Sequence, residues 1–593
     1  MNTSSTSSGV SNGTSPLEDK RHTLAHLLAA AVRERYPHAH PTIGPAIDNG
    51  FYYDFDFSDG ERPGDGDLAA LENAMRDILA SWSEMSGVEV SKKDARDRFK
   101  ENPFKLELIE EISGKGEKIT LYTAGDFTDL CRGGHSENPA KEIAADAFTL
   151  DRIAGAYWRG DEKNPMLTRI YGLAFDTKAE LDAYKEQCEE AKKRDHRKIG
   201  KELDLFTFSE LVGSGLPLWT PKGALMRHEL DRYVWELREK HGYQRVTIPH
   251  LTKKDLYETS GHWQKFADEL FRITTREGKE YALKPMSCPH HTQIFDRQPH
   301  SYKEMPQRYA ETTMVYRDEQ SGELGGLTRV LSITQDDSHV FCRHNQVKDE
   351  FFKIWDIIDT FYATFGFKLR VRLSFHDPAA IDKYLGTPEI WKNAEDALRG
   401  IAKERAADHF EAPGEAAMYG PKLDFMATDS LGREHQVATI QLDMNLPERF
   451  DLTCINEKGE KERIVMIHCA VMGSLERFTA VMLEHTGGVL PVWLAPVQVR
   501  VLPISEKHTA YAKKVHAALA GQGLRVEVDN ADESLGKKIR NAKNEKIPYV
   551  LVTGDKEMTE ETISVESRDA GKQGTMKMGD FAARVGEEIK KRA

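Results

Sequence analysis

Cysteine is scarce in this chain: six residues, at positions 131, 188, 288, 342, 454 and 469, in a total of 593. They are too few and too scattered for a disulfide framework, and a chain of roughly three to five domains buries enough apolar surface to do without one. No apolar run reaches the ~18 residues that a membrane-spanning helix needs. The N-terminus lacks the basic-then-apolar pattern of a secretory leader. Positive charge is also short overall: 82 Lys+Arg stand against 96 Asp+Glu, a balance of −14, so no global basic field announces a nucleic-acid partner. From Val497 onward the local balance is +3, with 18 basic and 15 acidic residues, which leaves a local basic surface open. No internal repeat is visible. What is present, 39% hydrophobic and 30% charged residues, reads as a soluble, cytoplasmic, multidomain enzyme.

Residues 1–14 are nearly all Ser, Thr, Gly and Asn and read as a disordered tail. Ser15-Pro16-Leu17-Glu18 then supplies a capped helix start, with Pro37 as the stop. Short strands such as 51–57 and 119–122 and a helix over 68–81 complete a first α+β domain, 15–176. Residues 177–204 are charged and helical, the pattern of a solvated connector; its Lys192, Lys193, Arg194, Arg197, Lys198 and Lys201 are also placed to meet a phosphate backbone. A long region, 205–495, mixes strands with amphipathic helices. After Pro496, strands alternate with helices over 496–593, predicting a small parallel or mixed α/β domain.

Two constellations carry chemistry. His22 and His26 share one face of the first helix, opposite the apolar residues Leu24, Leu27, Leu28, Ala31 and Val32. Further on stands Asp129-Leu130-Cys131-Arg132-Gly133-Gly134-His135. HxxxH with CxxxH has the ligand types of a zinc site, and with Asp129 it equally suits a polar cleft that positions water. The second set, Cys288, His339 and His468, is too dispersed for spacing to join; as three isolated residues they would be ordinary buried side chains.

The segments around them are more specific. Arg21–Leu28, Ile43-Gly44-Pro45, Asn49–Asp54, Cys131–His135 and Ala154–Asp161 resemble the editing domain of bacterial threonyl-tRNA synthetases. Lys284–Pro289, Thr334–His339 and Val465–Cys469 resemble the zinc-binding segments of the same family. Glu311–Glu319 and Gly473–Phe478 resemble motifs 2 and 3 of class II aminoacyl-tRNA synthetases, with a weaker motif 1 in a helix over 224–241 and a strand ending at Pro249. The resemblance runs from Ser15 nearly to the end.

It implies an α+β multidomain fold: an α+β editing domain, a class II antiparallel sheet core and a C-terminal α/β anticodon-binding domain. It implies a threonine–tRNA ligase that forms threonyl-adenylate from L-threonine and ATP, transfers threonine to tRNA(Thr), and hydrolyses Ser-tRNA(Thr) in a separate site. One Zn²⁺ per subunit would rest on Cys288, His339 and His468, and Mg²⁺ would accompany ATP. Arg317, Glu319 and Arg477 take the catalytic ATP-handling roles. Met286, Arg329, Gln335, Asp337, Tyr419, Lys422, Gln436, Thr439, Gln441 and Ser474 are further candidates for holding ATP or threonine. His22, His26, Lys105, Asp129, Cys131 and His135 form the editing cleft, for which hydrolysis without a metal is preferred to zinc binding. A homodimer through the motif 1 region, and no membrane partner, are implied as well.

Departures from the family pattern set further expectations. The small N-terminal domain that precedes editing in many relatives is missing. CRGGH replaces CRGPH, a change expected to lie beside the site. Ile333 stands in place of a phenylalanine that stacks on adenine, and is expected to weaken ATP binding. His290 replaces a glycine near the zinc site. Glu566 replaces an anticodon-reading arginine, with Arg568 or Glu557 expected to share the reading. Two other classes stay open on sequence: a hydrolase whose synthetase core is inactive, and a non-catalytic RNA-binding paralogue. Intact Arg317, Glu319, Arg477 and zinc ligands argue against both.

Overall fold

Ser15 accepts the Glu18 N–H and Pro16 opens the first helix, Pro16–Arg35, as the local sequence dictates. The computed structural model that shows this describes residues 15–592; the tail expected over 1–14 lies outside the described residues. The chain divides between Glu189 and Glu190 into two compact units.

In the first unit a five-stranded sheet runs His40–Pro41, Gly50–Asp56, Met166–Ala174, Phe148–Tyr157, with Ala46–Ile47 also on Gly50–Asp56. Phe51, Tyr53 and Phe55 of its second strand pack with Leu24, Leu27, Leu28 and with Leu71 and Met75 of helix Leu68–Leu79. A second sheet holds Ser86–Glu89, Thr120–Ala124 and Phe127–Leu130. Every residue from Thr23 to Val32 is buried, so His26 lies inside the domain although it stands opposite the apolar stripe. The histidine face is covered by the strand that brings Asp129, and His26 is 3% exposed.

In the second unit the expected connector is not uniform. Helix Lys178–Lys193 ends just past the division, whereas helix His196–Glu202 buries His196, Ile199 and Gly200, with Ile199 in the largest apolar core. Beyond it lies an eight-stranded sheet ordered Gln244–Arg245, Gln307–Tyr316, Ser332–Cys342, Val465–Ser474, Glu434–Asp443, Lys422–Thr428, Lys368–Phe375, His409–Pro413. It is antiparallel except for its outermost pair at each edge. Helices Pro221–Glu239, Val347–Ala363 and Leu475–Thr486 contribute to its core. The C-terminal sheet, Val526–Val528, Val499–Pro503, Tyr549–Thr553, Thr562–Ser567, Gly571–Lys577, is parallel in its first three strands and antiparallel in the rest, the mixed α/β arrangement expected. No helix among the described residues is long and apolar enough to cross a membrane.

Candidate active site and editing cleft

The large sheet assembles the first site through its register. Successive residues of a strand alternate faces, so Gln335, Asp337 and His339 of strand Ser332–Cys342 share one. His468 lies directly opposite His339, and Gln441 lies opposite His468 on the next strand. Cys288, at the start of helix Cys288–Asp296, completes the set. The ligand atoms of Cys288, His339 and His468 lie within 4.8 Å of one another, and all three residues are buried.

Their surroundings fit a cation. His468 Nε2 is 2.8 Å from Asp443 Oδ2, which leaves Nδ1 for a ligand. His339 Nδ1 is 2.7 Å from His291 Nδ1, which leaves Nε2. Such outer partners hold metal-bound imidazoles in one orientation. Burial pushes the Cys288 thiol well up and His339 well down, so both favour their neutral forms and a bound cation would ionise the thiol. Asp443 is pinned in turn by accepting the Asn445 and Leu446 N–H groups.

Above this trio opens a cleft of about 630 Å³, lined by Met286, Arg317, Glu319, Arg329, Gln335, Tyr419, Lys422, Gln436, Thr439, Gln441, Ser474 and Arg477. Asp337 alone of the proposed ATP and threonine residues is not on its surface. It sits behind, accepting the Ser287 N–H at 3.1 Å, 3.6 Å from His339 Nε2. Two of the cationic groups, Arg317 and Arg477, are left for a ligand, whereas Arg329 and Lys422 pair with carboxylates. Arg317 lies over the Phe266 ring at 5.4 Å, with Nε buried and unpartnered. Burial, then Arg329 and Arg372 nearby, lower the Arg477 guanidinium below its usual value. Uncompensated arginines at one wall make a receptor for phosphate oxygens. Glu319 is tied to Arg329 at 2.6 Å. Ile333 lines the cleft as well.

Ser474 and Arg477 owe their placement to a residue the sequence did not single out. Strand Val465–Ser474 bulges opposite Gln335/Asp337, freeing the N–H groups of Val471, Met472 and Gly473. The buried Asp336 carboxylate accepts all three and pairs with Arg238 at 3.1 Å. Burial nevertheless pushes Asp336 up to about 6. Gly473 adopts φ +76°, and a Cβ there would lie 2.6 Å from the Val437 carbonyl oxygen, so only glycine suits the bulge.

Two departures now have structural readings. His290 does not join the trio; its Nε2 meets Thr252 Oγ1 at 2.5 Å, and burial lowers the ring to about 4. Glu566 pairs with Lys543 at 2.8 Å. Arg568 donates to the carbonyls of Leu490 and Lys546, and Glu557 accepts the Gly554 N–H. Both candidates for sharing the anticodon reading thus make hydrogen bonds within the protein.

In the first unit the structure brings together all six cleft candidates. Lys105 Nζ is 2.5 Å from Asp129 Oδ1, and His26 Nδ1 is 3.0 Å from Asp129 Oδ2. Tyr53, quoted in its motif but not chosen as a site residue, donates to Asp129 at 2.5 Å and accepts from Lys105 at 3.1 Å. His22 donates from Nδ1 to the Gly134 carbonyl at 3.0 Å and presents Nε2 to Cys131 Sγ at 3.4 Å. Burial alone would raise Cys131, but His135, His22 and His26 around it hold the thiol down to about 3. Burial would lower His26, yet Asp129 and Cys131 bring it up to about 9. Asp129 stays well below the carboxylate range despite burial, chiefly through Lys105. Lys105, Asp129, His26 and Cys131 thus alternate in charge, and removing one of the three buried members, Lys105, Asp129 or His26, typically costs ~3–5 kcal/mol. Gly134 has φ +82°, which proline, held near −65°, cannot adopt. The CRGGH change thus lies beside the site, at the residue whose backbone carbonyl His22 uses.

Comparison with known proteins decides the family. The chain is 48% identical to a threonine–tRNA ligase of Porphyromonas gingivalis over 573 residues, 96% of this chain and 87% of that one. The chain belongs to the threonine–tRNA ligase family. A threonine–tRNA ligase of Gloeobacter violaceus is 47% identical over 583 residues, covering 96% and 92%. Within the chain, residues 271–486 match the tRNA synthetase class II core domain (G, H, P, S and T). Residues 498–588 match an anticodon binding domain, and 119–171 the threonyl and alanyl tRNA synthetase second additional domain. A solved structure titled as the RNA binding domain of the threonyl-tRNA synthetase from Cryptosporidium parvum Iowa II superposes with a TM-score of 0.64 at 38% identity. It covers 66% of this chain and 98% of that one.

Proposed function

We propose that the chain threonylates tRNA(Thr) in the large-sheet cleft and clears Ser-tRNA(Thr) in the first unit. The observation that carries this is the buried Cys288–His339–His468 trio beside a cleft that presents Arg317 and Arg477 without carboxylate partners. In the first step a threonine carboxylate oxygen attacks the ATP α-phosphorus and pyrophosphate leaves. In the second, a terminal ribose hydroxyl of tRNA attacks the adenylate carbonyl, its proton is lost and AMP leaves. Arg317 holds the α-phosphate as charge builds there, Arg477 the γ-phosphate, and Glu319 receives the adenine amino group. Mg²⁺ arrives with ATP.

Cys288, His339 and His468 would hold one zinc per subunit, which when bound supplies coordination positions for the threonine amino and hydroxyl groups. Gln335, Tyr419, Gln441 and Met286 border the amino acid, and Asp337 supports it from behind. Arg329, Lys422, Gln436, Thr439 and Ser474 border the nucleotide. Valine, isosteric but lacking the hydroxyl, is rejected because it leaves a polar position unfilled; serine lacks one methyl, worth only ~1–3 kcal/mol. A second, hydrolytic site is therefore required, and the cleft of His22, His26, Lys105, Asp129, Cys131 and His135 supplies it. The subunits pair through the motif 1 region in the cytoplasm, and the C-terminal domain takes the anticodon arm.

Pyrophosphate exchange tests the reading. Exchange should be strong with threonine, detectable with serine and absent with valine; equal rates with valine and threonine would overturn it. A second measurement concerns the cleft wall. Ile333→Phe returns an aromatic ring to the adenine side, where stacking is worth ~1–3 kcal/mol. An ATP titration of that variant should show KM lowered by about fivefold, and an unchanged KM would place adenine elsewhere.

A further inference from the structure

The charges of 177–204 predict a solvated connector, yet His196 within it is 5% exposed and both ring nitrogens are engaged. Nδ1 lies 2.7 Å from Glu484 Oε1, and Nε2 lies 3.0 Å from the Leu327 backbone nitrogen. A backbone N–H only donates, so Nε2 is the acceptor and the ring proton sits on Nδ1, given to Glu484. These two bonds join separate parts of the ATP site. Glu484 lies on helix Leu475–Thr486, two turns beyond Arg477. Leu327 is fully buried in the loop that leads to Arg329.

The contact is built from both sides. Glu484 is also held by Arg433 at 2.7 Å, itself bound to Asp429. Burial would raise the Glu484 carboxyl, but His196 and Arg433 lower it. Across the ring, Gly326 has φ +55°, and a Cβ there would stand 2.4 Å from His196 Nε2. Any larger residue would drive the loop off the imidazole. Thr328 donates to the Gly325 carbonyl, and the Gly325 N–H bonds the Arg329 carbonyl at 3.2 Å. The turn is thus tight enough for a fixed Leu327 to fix Arg329.

We propose that His196 is a positioning residue for ATP: it sets the spacing between the Arg329 loop and the Arg477 helix, and so the width of the phosphate receptor. The inference rests on the reading of those arginines as ATP ligands. It predicts a selective defect, because Cys288 stands at a helix start and His339 and His468 on strands that His196 does not touch.

The test uses the full chain in pyrophosphate exchange, with ATP and threonine titrated separately and thermal stability recorded. His196→Asn keeps a donor for Glu484 but is too short to reach Leu327. It should raise KM for ATP by roughly tenfold or more, since small misplacements of binding groups are expensive, while KM for threonine moves by less than about twofold and Tm stays near wild type. Gly326→Ala, which disturbs the same contact from the loop, should give the same split even if His196 variants fold poorly. Wild-type KM for ATP in both variants would overturn the proposal. So would KM for ATP and threonine rising together as Tm falls, the pattern of a merely structural residue. Arg477→Ala separates this from the underlying reading: if it too leaves KM for ATP unchanged, the assignment of the cleft fails rather than the role of His196.

Discussion

Cys288→Ala should abolish threonine-dependent pyrophosphate exchange and release the zinc together. Elemental analysis is expected to fall from about one zinc per chain to nearly none. The reason is the donor set: with Cys288 gone, two imidazoles remain, and two neutral ligands in a buried site hold a dication poorly. The loss should far exceed that of Asp443→Asn. There all three ligands survive and only the orientation of His468 is weakened, an effect of roughly 10–100-fold on metal affinity or activity. The pair therefore forms a graded series. If Cys288→Ala keeps its exchange activity, or if the wild-type protein purifies active and free of zinc, the trio is an ordinary buried cluster.

In the first unit, His22→Ala combined with His26→Ala should leave threonylation nearly intact while Ser-tRNA(Thr) accumulates. An aminoacyl ester is already activated, so a positioned water with modest base assistance suffices for its hydrolysis. The chain of contacts Lys105–Asp129–His26–Cys131 positions the polar groups through one another. A metal would also act on Thr-tRNA, whose hydroxyl ligates as well as that of serine, so selectivity has to come from a cleft with no room for the extra methyl. The competing reading is concrete, since His22, His26, Cys131 and His135 also present ligand atoms within 4.8 Å of one another, and Asp129 beside His26 is how metal-bound histidines are often oriented. Zinc content discriminates: about one ion per chain in both wild type and double mutant is expected, whereas two falling to one would make the cleft a metal site.

Some of this was readable before any fold was known. The capped first helix followed from Ser15, Pro16 and Glu18, whose effects are local. The C-terminal domain followed from alternating strand and helix patterns. The site residues were legible because short segments such as Cys131–His135 and Thr334–His339 resemble a known family closely enough to fix their partners. Period two would also have pointed from Thr439 and Gln441 to Asp443, which belongs to the same face.

Other features depend on partners distant in sequence. His26 stands opposite the apolar stripe of its helix and is buried because a strand a hundred residues later brings Asp129 over it. Asp336 alternates away from the site and gains its role only from a bulge in strand Val465–Ser474. His196 lay in a run of charges that composition reads as solvated, yet Glu484 and the Leu327 backbone close on it.

By itself, then, the sequence determined helix starts, strand periodicity, the ligand types and the family, because these depend on local spacing and on residue chemistry. Tertiary structure alone decided which polar groups are buried together, which backbone N–H groups need a carboxylate, and which loop a distant imidazole holds. Those outcomes depend on desolvation and on contacts between residues more than a hundred positions apart, and no local pattern in the chain records them.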